Sequence, residues 1–129
     1  MVKSYIYTGA TQHKGKGMFT NRIIKAGTII ERAPVIVMSA TERLLIDQTK
    51  LYNYIFEWQP DGADLCCMAL GNIPMYNHSY SSNCEYYMEY ENNEMFVQAV
   101  RDIAADEELT INYNGSWDDE SKVWFDVAE

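Results

Sequence analysis

Residues 76–83 read Tyr-Asn-His-Ser-Tyr-Ser-Ser-Asn. This run carries an imidazole, three hydroxymethyl groups, two carboxamides and two phenols, with no acidic side chain. Three local chemistries fit such residue types. A Ser–His nucleophile pair is the first, but adjacent His78 and Ser79 would point to opposite faces of a strand, and no nucleophile elbow surrounds them. Sugar attachment is the second, since Asn77-His78-Ser79 and Asn114-Gly115-Ser116 are both acceptor sequons. That chemistry belongs to secreted chains. The third is structural, an imidazole tying loop backbone together. Zinc is set aside, because His13 and His78 lack a third ligand in any recognisable spacing.

Two other resources stand out. Gly15-Lys16-Gly17 would let backbone N–H groups approach a ligand closely. It is neither a dinucleotide fingerprint, because Thr20 stands where the third glycine belongs, nor a phosphate-binding Walker loop. On its own it is most simply a turn. Tyrosine is abundant, 10 in 129 residues, with a cluster at positions 76, 80, 86, 87, 90 and 113. A phenol places a hydroxyl on an apolar ring and suits a narrow channel, although aromatic residues also simply pack on β-surfaces.

The elements that must position these groups read as short strands. Residues 21–40 are rich in Ile and Val and are broken at Ala26-Gly27 and Pro34. Ser39 and Glu42 have capping-box spacing, and Leu44, Leu45, Gln48, Leu51, Tyr52 and Ile55 form a stripe of helical period. Together they predict a helix over about 41–54 inside an insertion of about 41–58. Residues 59–64 are a loop. From Cys84 two aromatic-rich runs flank Asn92-Asn93 as a hairpin, and 108–113 form a further strand. The class is mainly β with one short helical insertion, and too few helices separate the strands for a βαβ series.

The composition narrows the function. One domain of 129 residues is expected, with 47% hydrophobic residues for its core. No stretch matches a membrane span, and the N-terminus lacks the apolar region of a signal peptide, so a soluble intracellular protein is expected. Cys66, Cys67 and Cys84 are read as reduced, buried thiols. The net charge of −9 argues against nonspecific nucleic-acid binding. Residues 85–129 hold 13 acidic and only 2 basic side chains. Such a half suits a Lys-rich partner, and equally a merely solubilising surface.

Taken in order, Gly15-Lys16-Gly17-Met18-Phe19, then Asn77-His78-Ser79-Tyr80-Ser81-Ser82-Asn83, then Glu107-Glu108-Leu109-Thr110-Ile111-Asn112-Tyr113 resemble the three motifs of the SET-domain protein lysine methyltransferases. The run 24–30 and Arg101-Asp102-Ile103 also sit where that family has similar residues. The resemblance implies a single SET domain over 1–129, with a core of about 5–115 and an aromatic, acidic tail at 116–129. It implies a mainly β, β-rich α+β fold of small sheets whose C-terminal segment forms a pseudoknot. It further implies S-adenosylmethionine as methyl donor, S-adenosylhomocysteine as product, and no metal. Lys16, Gly17, Met18, Asn77, His78, Tyr113 and Trp117 would hold the cofactor. Tyr113 would be the catalytic tyrosine and Tyr86 a second one. Tyr86, Ile111, Tyr113, Trp124 and Phe125 would line the lysine channel.

The implied partner is a Lys-containing peptide or protein, histone tails included, with neither nucleic acid nor membrane. A cytoplasmic or nuclear location follows; a homodimer, and export into a host without a conventional signal, stay open. Departures from the family pattern are Tyr80 and Ser82 for its Cys and Pro, and Arg32-Ala33 for a Glu-Tyr pair. The second departure removes a channel tyrosine that Tyr52 or Tyr54 could replace. The zinc-binding Cys-x-Cys tail is also missing. The alternative is a SET-like domain that binds peptides without catalysis.

Overall fold

The computed structural model describes residues 3–115 and 119–123. Its first hairpin is set by a glycine. Gly15 adopts φ of 72°, a conformation open to glycine at no steric penalty, and its carbonyl accepts bonds from the backbone and hydroxyl of Thr11. Strands β1 (Ile6–Ala10) and β2 (Lys16–Thr20) pair antiparallel around this turn, with Gly9 opposite Gly17.

The longest strand, β3 (Ile29–Met38), runs straight through Pro34. The sequence suggests a break there, and the pairing explains its absence. Residues 29–34 pair with β8 (Glu94–Ala99), whereas 35–38 pair with β5 (Leu65–Ala69). Pro34 sits at the change of partner, where its missing N–H interrupts no continuous ladder, and its carbonyl accepts from Leu70. β4 (Ile55–Trp58) and β7 (Cys84–Glu89) complete a five-stranded sheet of order β4-β5-β3-β8-β7. The expected hairpin is β7–β8, turned by Tyr90–Asn92 and by Asn93 in the left-handed conformation.

The predicted helix over 41–54 is much shorter. α1 spans Ala40–Ile46, with the Ser39/Glu42 capping box formed as expected. Thr49 then takes an extended conformation, donates its hydroxyl to Ile46 O and accepts from Leu51 N. It thereby ends one helical segment and caps a 3₁₀ turn at Lys50–Tyr54, as short hydroxyl side chains do when they compete for backbone groups. Residues 55–58 of the insertion are strand β4. No residue of α1 is buried, and Leu44 and Leu45 are 66% and 64% exposed. The apolar stripe therefore faces outward.

A second sheet, of order β1-β2-β9-β6, joins β9 (Glu108–Ile111) to the two-residue β6 (Asn77–His78). This pair is parallel, with Asn77 opposite Thr110 and His78 opposite Ile111, the pairing a pseudoknot requires. Asn83 locks it. Its Nδ2 donates to Glu107 Oε2 (3.0 Å) and Glu108 O (2.8 Å), and its Oδ1 accepts from Thr110 N (2.9 Å). Met18, Ile30, Ile73, Met95, Leu109 and Ile111 form the core between the sheets, and all three cysteines are buried and free. This is the mainly β architecture expected. No helix among the described residues is long and apolar enough to cross a membrane.

Asn83→Ala removes four side-chain hydrogen bonds, the one from Cys84 Sγ included, and strands the buried Thr110 N–H. Chemical denaturation should show a loss of about 2–4 kcal/mol of unfolding free energy; a loss near zero would mean that the β6–β9 pair holds without it.

Candidate active site

The parallel β6–β9 pair carries its ladder one step further into a side chain. Ser79 N donates to Ile111 O at 3.0 Å, and Tyr113 N donates to His78 Nδ1 at 2.9 Å. His78 is 2% exposed and ties the backbone beyond β9 to β6, the structural role open to it from the sequence. Tyr113 is thereby fixed beside the Asn-His-Ser run. Its ring lies 5.2 Å from that of His78, and its hydroxyl donates to the main-chain carbonyl of Tyr76 at 2.8 Å. Tyr86, projecting from β7, donates its hydroxyl to Tyr113 O at 3.4 Å.

Two cavities of about 620 and 610 Å³ open on this arrangement. Tyr52, Asn53, Tyr54, Pro74 and Tyr113 line both. The first is otherwise aromatic, with Phe56, Tyr76 and Tyr86, and has Arg43, Asp47 and Glu57 in its wall. Arg43 reaches toward Asp47 and Glu57 at 3.8 and 3.9 Å. An apolar wall with tyrosine hydroxyls and main-chain carbonyls suits an aliphatic stem with a polar tip. The second cavity is lined by Lys14, Gly15, Lys16, Met75 and Asn77, a glycine turn between two cations. Such a wall suits a ligand bearing both a carboxylate and apolar surface.

Asn77 is held in place from two sides. Its Nδ2 donates to Lys16 O (3.1 Å) and to Glu108 Oε2 (2.8 Å). A methyl at Gly17 would sit 2.6 Å from that nitrogen and nearer still to the Glu108 carboxylate, so a larger residue there would displace the hydrogen-bonded ends of both side chains. Lys14 Nζ donates to His78 O at 3.2 Å.

Both site phenols are uncharged near neutrality. Burial pushes Tyr113 up to about 12, with Tyr54, Glu108 and Tyr86 adding to it. Burial likewise pushes Tyr86 up to about 12, followed by the charge of Glu57. At physiological pH these groups are hydrogen-bonding and orienting hydroxyls rather than bases.

Of the residues singled out from the sequence, Lys16, Asn77, Tyr86 and Tyr113 line the cavities. Gly17 and His78 line neither, although Gly17 abuts Asn77 and the His78 carbonyl accepts from Lys14, two residues that line the second. Met18 and Ile111 are fully buried in the core and are not among the residues lining either cavity. Trp117, Trp124 and Phe125 lie outside the described residues. Ala33 is buried and lines neither cavity, while Arg32 pairs with Glu89 at 2.5 Å and covers the Phe96 ring. Tyr52 and Tyr54, suggested as replacements for the missing channel tyrosine, line both cavities. Tyr80, one of the motif departures, packs edge-on against His78 at 4.5 Å, and its hydroxyl accepts from Val123 N. Sequence reasoning placed Tyr76 in the tyrosine cluster and Glu108 in the third motif without assigning either a site role, and it missed Pro74 and Phe56. Tyr76 adjoins the motif, but it serves Tyr113 through a carbonyl that every residue type possesses.

Two cavities that share a tyrosine wall are accompanied by clear relationships. The SET-domain family model matches residues 15–114. The chain belongs to this family of protein lysine methyltransferases. It is 31% identical over 127 residues to a histone-lysine N-methyltransferase, H3 lysine-37 specific, of Schizosaccharomyces pombe, covering 98% of this chain and 80% of that one. Among solved structures, a candidate histone methyltransferase of Plasmodium falciparum superposes with a TM-score of 0.68 at 31% identity, covering 90% of this chain and 98% of the other. A chain of the Polycomb Repressive Complex 2 of Chaetomium thermophilum shares the fold, with a TM-score of 0.72 at 20% identity, over 88% of this chain and 15% of its own.

A raised phenol pKa favours the neutral form in the folded state. The stabilisation from Tyr113 and Tyr86 is therefore complete below pH 10 and lost as pH rises through about 12. In an ultraviolet titration, Tyr113→Phe should leave the phenolate absorbance gained below about pH 11 unchanged. A deficit of one tyrosine in that range would mean that Tyr113 is open to solvent.

Proposed function

We propose that the protein transfers a methyl group from S-adenosylmethionine to a lysine side chain of a protein substrate. The observation that carries this reading is the placement of Tyr113 in the wall of both cavities, so that one tyrosine borders the two. The second cavity fits the cofactor's amino-acid end: Lys14 and Lys16 offer charge to its carboxylate, and Asn77 and the main chain at 15–17 offer hydrogen bonds. When bound, the cofactor supplies an electrophilic methyl on a sulfonium.

The protein's own task is positioning and drying. A lysine amine with a solution pKa near 10.4 is protonated at neutral pH and not nucleophilic. An aromatic cavity disfavours the ammonium by desolvation, and a neighbouring cation would disfavour it further. The hydroxyl protons of Tyr113 and Tyr86 are directed at main-chain carbonyls. A phenol oxygen whose proton is so directed can accept an N–H bond from the substrate amine, which turns the amine's own lone pair toward the other cavity. The released proton leaves with water. Tyr113 orients and stabilises the amine without taking up the proton.

The substrate class follows from charge and relationship. Asp47 and Glu57 border the aromatic cavity, and the C-terminal half is strongly acidic. The name of the Schizosaccharomyces pombe relative cites histone H3. A Lys-rich histone tail is therefore the first substrate to test, with the protein acting in the nucleus or cytoplasm.

Calorimetry with S-adenosylmethionine and a methyl-transfer assay on histones test the reading. Tyr113→Phe should lower turnover by about 10²-fold or more while leaving cofactor affinity within a few-fold. The absence of cofactor binding would sink the proposal, and binding without transfer across a broad peptide panel would favour the non-catalytic module. Tyr86→Phe removes a hydroxyl from the amine's surroundings and should raise the number of methyl groups per lysine, read by mass spectrometry of the product. An unchanged count would remove Tyr86 from control of multiplicity.

A further inference from the structure

One buried acid lies away from both cavities. Glu31, on β3, is 0% exposed, yet its partners are two neutral donors. Its Oε2 accepts from Asn72 N at 2.6 Å, and its Oε1 accepts from the Tyr76 hydroxyl at 3.1 Å. Burial pushes its carboxyl pKa up, and these two hydrogen bonds oppose that rise. A carboxyl group removed from water is expensive to maintain unless the bonds it makes are needed.

Both bonds go to one segment. Gly71, at φ of 66°, turns the chain so closely onto Glu31 that a side chain there would meet the carboxylate, and would come within 3.3 Å of the Ala33 methyl. The small residue at position 33 thus makes room for the turn. The chain continues through a 3₁₀ turn at Ile73–Met75, with Met75 N bonded to Asn72 O at 2.8 Å. Pro74 faces both cavities, Met75 one and Tyr76 the other. The segment ends at the Tyr76 carbonyl, which accepts the Tyr113 hydroxyl at 2.8 Å. Tyr76 is itself 1% exposed, so its ring has no freedom once Glu31 holds the hydroxyl.

We propose that Glu31 is a positioning residue for Tyr113. By gripping Asn72 and the Tyr76 hydroxyl from beneath, it fixes the one carbonyl that sets the direction of the Tyr113 O–H. Glu31 touches neither cavity and acts through Tyr76. Without it, the 71–76 segment can shift by the few tenths of an ångström that decide whether a hydroxyl and an amine meet at hydrogen-bond distance.

Resting as it does on the methyltransferase reading, this role is tested by two measurements that fail separately. Tyrosine labelled with ¹³C at Cζ reports the hydroxyl environment of Tyr113, assigned through Tyr113→Phe, whether or not any substrate is turned over. Glu31→Gln, which keeps the shape but replaces one acceptor with a donor, and Tyr76→Phe, which keeps the carbonyl and the ring, should each move that signal. Each should lower kcat roughly tenfold with cofactor Kd within about threefold, and the double variant should lose no more than the worse single one. If Glu31→Gln fails to fold, Tyr76→Phe alone decides. An unmoved Tyr113 signal in the folded variants overturns the role, as do losses that multiply in the double variant. A wild-type protein that binds no cofactor overturns the functional reading instead, and the Tyr113 signal still decides the positioning.

Discussion

The site depends on one parallel pairing between two short stretches far apart in the chain. Asn77 and His78 lie beside Thr110 and Ile111, and nothing local in the sequence makes them do so. Two residues of strand are too few to hold by backbone bonds alone. The pair persists because side chains continue the ladder at each end. Asn83 grips Glu107, Glu108 and Thr110 on one side, and His78 accepts the Tyr113 amide on the other. The same two clamps place Asn77 and Tyr113 on a common cavity wall. Fold and site are therefore held by one set of hydrogen bonds.

This explains which features were legible in the sequence. The glycine pair, the Asn-His-Ser run and the Tyr113 segment are read from residue type because their roles need a specific side chain, or none at all. A Cβ at Gly17 would push apart the hydrogen-bonded ends of Asn77 and Glu108, and Asn83 must offer a donor and an acceptor together. Ser79, a nucleophile candidate by residue type, is buried, and its hydroxyl accepts from Ser81 N. The cluster that looked self-contained draws its role from partners about 30 residues away in the chain or more.

The insertion was less legible. Leu44, Leu45, Leu51 and Tyr52 recur with helical period, but the period cannot reveal which way the face points. Thr49 divides the segment, so no single helix exists to carry the stripe, and the leucines end up on the outside. The insertion contributes Tyr52, Asn53 and Tyr54 of the 3₁₀ turn to both cavities, and Arg43 of the helix with Asp47, Phe56 and Glu57 to the first alone. The Tyr76 carbonyl was illegible for a different reason. Main-chain acceptors carry no residue signature, and only the path of the chain between Gly71 and Asn77 reveals which one meets the hydroxyl of Tyr113. Met18 and Ile111 belong to the motifs yet give their side chains to the core and their backbones to the strand ladders that hold the site together.

The shared wall has a thermodynamic consequence. Tyr54, Pro74 and Tyr113 are surfaces of both cavities, so an occupant of one that shifts or stiffens them alters the free energy of filling the other. Linkage makes that coupling reciprocal: whatever factor the first ligand applies to the affinity for the second is returned unchanged. Order of binding then becomes a matter of concentration and rate, and no separate element is needed to make the two ligands aware of each other.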